Sequence, residues 1–268
     1  MILQKKSHGL KSVIHSFQSE WLKTRRSLAS VLVIIGSLFI PLILMVSRLI
    51  YAEKLPKDSI NPHFWQRMFE NCWNPMAVFL LPIGVILATS LITQLEFRNN
   101  TWKQLHTTPQ YLTTIFVAKF AVIIVMMVQF LLFFNIAIYV TGIIPHLILG
   151  PLLPQQPFPF YYFLEKSSHF FIDCLPIIAL QYLISLQFKN FLVPLSVGLG
   201  LQIASLIATE WKYGYTIPYT YCPLNFMALR QGLAPVFGSI NIHLWALGYF
   251  ILFTIAGYLL YIFQKEKG

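Results

Sequence analysis

Charge is what this chain of 268 residues has least of. Only 10% of its residues are charged, against about 25% in an ordinary soluble domain. With 57% hydrophobic residues and a mean hydropathy of +0.66, so little charge excludes a water-facing globule and points to a polytopic membrane protein. Acidic residues are scarcest, nine Asp and Glu against nineteen Lys and Arg. The net charge of +10 would suit nucleic acid. The basic residues, however, gather at the N-terminus and in short loops between apolar runs, which is how charge sets membrane orientation, so no nucleic-acid partner is expected. There are three cysteines, with no CxxC and no Cys/His metal spacing. Cys174 falls in an apolar run. Cys72 and Cys222 fall in segments read as lying outside the membrane, and a disulfide between those two stays open. No G-x-x-x-x-G-K-[ST] occurs, so the chain cannot cradle nucleotide phosphates in the P-loop manner. GxSxG and HExxH are absent too. No metal and no cofactor is expected in this chain, and it is not read as an enzyme.

What is present is a series of apolar runs. The expected fold is all-α and polytopic, with six transmembrane helices over about 28–50, 75–95, 113–140, 169–188, 191–209 and 243–263. The first opens with Ser27–Ser47, which carries no charge and is long enough for a hydrocarbon core of about 30 Å. Together these runs make one transmembrane domain over 28–264. Before it, residues 1–27 are basic, with Leu10, Val13, Ile14, Phe17 and Trp21 on one helical face. This segment reads as an amphipathic helix in the cytoplasmic interface.

Arg48 and Lys119 lie near span ends and are expected to snorkel. Residues 51–74 read as a short outer loop whose HFWQRMFENCW forms a turn of interfacial helix. Gly142–Lys166 holds Pro145, Pro151, Pro154, Pro157 and Pro159 and cannot be one regular helix; it reads as an outer loop along the interface. Glu210–Ile242 reads as the largest outer segment, with short, re-entrant helices broken at Gly232 and Pro235 before the last span. Ser196, Gly200 and Ala204 form a small-residue stripe suited to close helix contact.

Basic residues test this layout. Twelve fall inside (Lys5, Lys6, Lys11, Lys23, Arg25, Arg26, Arg98, Lys103, Lys119, Lys189, Lys265, Lys267) and seven outside (Arg48, Lys54, Lys57, Arg67, Lys166, Lys212, Arg230). The bias places both termini in the cytoplasm. Among polar residues within the spans, Gln94, Gln129, Asn135, Gln181 and Gln202 either line a path or bond to neighbouring helices. His169 and Asp173 stand at i,i+4 and share a helix face. They suit a proton relay, an acid/base pair, half of a metal site or a plain hydrogen-bonded pair. With no third ligand within reach, the plain pair is preferred.

Two stretches carry a family resemblance. SEWLKTRRS, Ser19–Ser27, resembles the elbow of ABC-2-type transporter permeases. LEFRNNTWKQLHTTP, Leu95–Pro109, resembles their cytoplasmic loop between spans two and three. The Glu-Trp-Leu-Lys and Trp-Lys-x-Leu combinations are similar to the small lantibiotic (bacteriocin) immunity and export permeases. The resemblance implies a transmembrane subunit of a bacterial ABC transporter in the inner membrane. It would work with two separate ATPase subunits that bind ATP and Mg, and with a second permease, identical or homologous. It also implies roles. Residues 95–111 form the coupling segment, where Trp102 and Leu105 enter a groove on the ATPase and Glu96, Arg98 and Lys103 set orientation. Phe17, Trp21, Lys23, Arg25 and Arg26 belong to the elbow helix. The cargo is expected to be hydrophobic or amphipathic, peptide or lipid-like. A non-transporting mechanical or sensor subunit, or a membrane enzyme using His169 and Asp173, remain the alternatives.

Overall fold

The computed structural model describes residues 2–98, 112–149, 153–232, 236–237 and 240–266. Its helices are α1 (Ile2–Arg25), α2 (Leu28–Ile50), α3 (Leu55–Ile60), α4 (Phe64–Pro75), α5 (Leu81–Arg98), α6 (Leu112–Leu149), α7 (Phe160–Gln187), α8 (Leu192–Ala208), α9 (Tyr221–Gln231) and α10 (Ile242–Glu266). A π-turn over Met76–Leu80 joins α4 to α5. The only strands among the described residues are the two-residue β1 (Val236–Phe237) and β2 (Ile240–Asn241), paired antiparallel.

Five stretches are long and apolar enough to cross a bilayer: α2, Phe64–Leu95, α6, α7 and Ile242–Phe263. The protein is therefore an all-α polytopic membrane protein. In hydrocarbon a helix is the element that satisfies its own backbone, so apolar runs of this length fold that way. The fifth expected span, about 191–209, corresponds to α8 (Leu192–Ala208), an apolar helix of 17 residues.

Successive long helices run up and down. One end of the bundle gathers α1, the end of α5, the start of α6 and the turn between α7 and α8. The opposite end, the cap, gathers α3, α4, the loop before α7, α9 and the start of α10. At the first end Ser27 caps α2 by accepting from the Ala29 N–H at 3.2 Å, a standard N-cap arrangement.

Several expectations are corrected at the cap. HFWQRMFENCW is core rather than a turn at the interface. It forms α4 and buries Phe64, Trp65, Met68, Phe69, Cys72 and Trp73, spaced three and four apart on one face. Trp73 stacks on Phe170 at 3.9 Å and meets Phe134 edge-on at 5.2 Å. Trp65 packs against Gly142 so closely that a Cβ there would come within 2.5 Å of the indole. The proline-rich stretch is also shorter as a loop than expected. Pro145 sits inside α6, and α7 begins at Phe160, directly after Pro159. Neighbouring helices re-satisfy the backbone groups that an internal proline frees. Between these helices, Gln155 N–H donates to Ser59 O at 3.0 Å and Trp65 Nε1–H to Gln156 O at 3.0 Å, which pins the loop to α3 and α4. Gly232, at φ 67°, ends α9 in the left-handed conformation, which glycine adopts at little cost.

Arg48 does not snorkel away from the protein. Its guanidinium lies 2.9 Å from His146 Nε2 and 3.4 Å from Asp58 Oδ2, and sits 5.0 Å over the Phe64 ring. A carboxylate from α3 and an aromatic face from α4 replace the water that snorkelling would have reached.

Candidate functional site

The α1 end carries the residues expected to meet a partner. Glu96 and Arg98 lie in the last turns of α5. Trp102, Lys103 and Leu105 lie outside the described residues. On α1 the buried line is Ser16, Glu20 and Thr24, with Phe17 and Trp21 half-buried beside it and packed on the core. Ile14 and Leu22 are exposed. Lys23, Arg25 and Arg26 are exposed as well.

The polar line exists because of Lys119. This residue was expected to snorkel, yet it is 2% exposed, and its Nζ lies 3.6 Å from Glu20 Oε2. Lys23 reaches the other carboxylate oxygen. The counter-charge from α1 lets the ammonium stay buried, since a buried charge is tolerated when paired. Glu20 was not singled out by sequence reasoning. Its signal was available as a lone acid in a basic segment, at i+3 and i+4 from Phe17 and Ser16.

Four of the five polar candidates within the spans bond to neighbouring helices. Gln94 donates to Phe188 O at 2.8 Å, and Asn135 donates to Ser167 Oγ at 2.9 Å. Gln181 is fully buried and donates to Ser90 Oγ at 2.9 Å and Pro194 O at 2.7 Å, which joins α7 to α5 and α8. Gln202 donates to Val78 O at 3.1 Å. That last bond has a local cause. Pro82 has no N–H to give the carbonyl four residues before it, and Gln202 supplies the donor from α8. Gln129 is half-buried on α6.

An apolar groove of about 540 Å³ lies between α2, α5 and α6. Leu32, Phe39, Leu81, Val85, Met126 and Phe130 line it. A second apolar cavity of about 330 Å³, nearer the cap, lies between α2 and α6 and is lined by Pro41, Phe133 and Ile136. Surfaces of this kind suit alkyl chains or apolar side chains and offer nothing to a highly charged solute.

On α7 the expected partnership is corrected. Asp173 is fully buried, but its oxygens are engaged by residues far along the chain. His243 Nδ1 lies 2.7 Å from Oδ1, and Asn225 Nδ2 donates to Oδ2 at 2.7 Å. His169 instead stacks on the His243 ring, centroids 4.6 Å apart. The group ties α7 to α9 and α10 and is a latch in form. His243 and Asn225 are separated from Asp173 by 70 and 52 residues, so no local spacing announces them. Among the described residues no three His, Cys, Asp or Glu side chains gather as metal ligands.

About two turns along α7 from this latch, burial pushes the Tyr219 phenol well above its ordinary range. It stays a protonated donor, 3.5 Å from Gln181 Oε1. Cys222 is also placed differently from expectation. Its nearest sulfur is that of Cys174, at 3.3 Å, while Cys72 is buried in α4.

Compared with known proteins, residues 16–205 match a family model described as ABC-2 family transporter protein. No curated protein and no solved structure gives a match.

Proposed function

The chain belongs to the ABC-2 family of transporter proteins, and from that premise we propose that it is driven by a separate ATPase through the segment joining α5 to α6. In this reading it is the permease subunit of a bacterial inner-membrane ABC transporter, with six spans and both termini cytoplasmic. The twelve-to-seven distribution of basic residues supports that orientation,. Two ATPase subunits bind ATP and Mg, and a second permease, identical or homologous, completes the membrane part. The elbow, α1, lies in the cytoplasmic interface among membrane lipids. The likeness of Glu-Trp-Leu-Lys and Trp-Lys-x-Leu to the lantibiotic and bacteriocin permeases supports an immunity or export role.

The observation that carries the coupling reading is the buried Glu20–Lys119 pair. It fastens α1 to α6 about two turns inside the start of α6, beside the segment a partner would push. Displacement of residues 99–111 would then move α1, α5 and α6 together, and α2 with them, because α2 packs along α6. Of these, α2, α5 and α6 wall the apolar groove. A push at this end therefore reshapes a surface suited to a hydrophobic or amphipathic cargo, peptide or lipid-like.

Co-expression with the ATPase and purification of the complex test this. Trp102→Ala and Glu96→Ala are expected to lower retained ATPase, or transport per ATP hydrolysed, by roughly tenfold, the scale of a central interface residue. The permease should remain inserted. Wild-type ATPase retention and transport in both variants would overturn the coupling role.

A further inference from the structure

We propose that Cys174 and Cys222 form a disulfide that fastens α9 to α7. Their sulfurs lie 3.3 Å apart, 48 residues apart in sequence. Both side chains are fully buried. A bond requires a further approach of roughly 1.3 Å, since a disulfide is about 2.05 Å long. The surrounding contact already holds the two helices in register. Asp173 precedes Cys174, Asn225 lies one turn beyond Cys222, and that pair is bonded at 2.7 Å. The closed ring would enclose α8 entirely and fix both ends of that helical excursion. Cys72 lies on α4 and takes no part.

The proposal rests on the topology above, which puts α9 on the extracytoplasmic side, where disulfides form and persist. Two thiols lose two protons and two electrons. The electrons pass to the disulfide of an extracytoplasmic thiol–disulfide exchange protein, which leaves as a dithiol. Cys222 thiolate attacks one carrier sulfur to give a mixed disulfide. Cys174 thiolate then attacks the Cys222 sulfur and releases the carrier. In the packed state the neighbouring Cys174 thiol and burial hold the Cys222 thiol protonated. Exchange therefore belongs to assembly, before α9 seats on α7, and the seated helix then shields the bond.

The test is isolation of the full-length protein from membranes of a host with its extracytoplasmic thiol-oxidising system intact. Cells are quenched in acid, free thiols are alkylated under denaturing conditions, and the protein is digested without reductant. The expected result is a Cys174–Cys222 linked peptide in most chains, with Cys72 alkylated. Reduction should lower the thermal aggregation midpoint of the wild type and leave that of Cys222→Ser unmoved. Sidedness is read separately with Glu210→Cys in a Cys72→Ser, Cys174→Ser, Cys222→Ser background, using a membrane-impermeant maleimide on intact cells. Labelling there, with Cys174 and Cys222 both alkylated in most wild-type chains, overturns the disulfide while the topology stands. A Cys72–Cys222 linkage overturns it as well. No labelling of Glu210→Cys from outside overturns the topology, and the disulfide with it.

Discussion

At the cap, Arg48, Asp58 and His146 tie α2, α3 and α6 together, Trp73 is sandwiched among aromatic rings, and the loop before α7 is pinned to α3 and α4. At the opposite end, α1 rests on α6 through the Glu20–Lys119 pair and two half-buried rings. Both ends face the same physical problem of polar groups near or inside hydrocarbon. The cap solves it with several interlocking contacts, and losing one leaves the rest. At the other end α1 itself packs mainly on α6, where the Glu20–Lys119 pair meets it, so a single substitution there tests the docking of one helix.

The largest test of this contrast is Trp73→Ala. It removes a fully buried indole from the inner side of the cap, where α4 packs on α6 and α7, and should cost about 3–5 kcal/mol, read as a lower thermal midpoint and lower yield from membranes. Because the other cap contacts remain, ATPase retention by the folded fraction should stay at the wild-type level. A variant that folds well but releases the ATPase would show that the cap is part of the coupling.

Glu20→Ala is next. It withdraws the carboxylate from a buried ammonium and should cost roughly 2–4 kcal/mol in the docking of α1. Hydrogen exchange would show it as faster opening of α1 with the cap unchanged. The Glu20→Lys, Lys119→Glu exchange restores opposite charges and should recover part of the loss. No recovery would mean that the pair only fills space.

Asp173→Asn should have a smaller effect, about 1–3 kcal/mol. The amide keeps the shape of the carboxylate but loses the charge that faces His243. Opening of α9 and of the first turns of α10 should quicken, while α1 stays protected. If ATPase retention or transport collapses with the fold intact, the latch has a role beyond structure and the enzyme or proton-relay reading returns.

The sequence made the long apolar helices legible because length and the absence of charge are local properties. It also made α4 legible in principle, since Phe64, Met68, Phe69, Cys72 and Trp73 repeat at helical spacing. Their aromatic content is equally that of a membrane-interface segment, which composition alone does not distinguish from core. Partners were not legible. Arg48 and Lys119, taken alone, are charges near a membrane edge, and snorkelling is the obvious expectation. What holds Arg48 half-buried and Lys119 buried is Asp58 and Glu20, on other helices. Asp173 drew attention by its i,i+4 neighbour His169, yet the bonds go to Asn225 and His243. The proline-rich stretch Gly142–Lys166 is not one helix, as its prolines imply, but the count of prolines does not say that α6 runs past Pro145 to Leu149.

Two glycines on α8 give the smallest and most local comparison. The expected close-contact stripe was Ser196, Gly200 and Ala204, but all three are exposed in this chain, and the face turned inward carries Pro194, Gly198, Gln202 and Ser205. A Cβ at Gly198 would come within 2.6 Å of Gln181 Oε1 and 2.7 Å of Ile86 Cγ2. Gly198→Ala must therefore push aside the glutamine that joins α5, α7 and α8, and should cost about 1–3 kcal/mol. At Gly200 a Cβ meets nothing within 4 Å, so in the isolated chain Gly200→Ala should cost nothing and can raise stability by up to about 1 kcal/mol, since alanine favours the helix interior. The two variants separate packing within one chain from contact between chains. If Gly200→Ala does not lower the melting of the isolated chain but weakens its association with the second permease, the exposed stripe is the partner-facing surface. If association also stays at wild type, the stripe faces lipid, and the proposed second permease would meet this chain elsewhere or not at all.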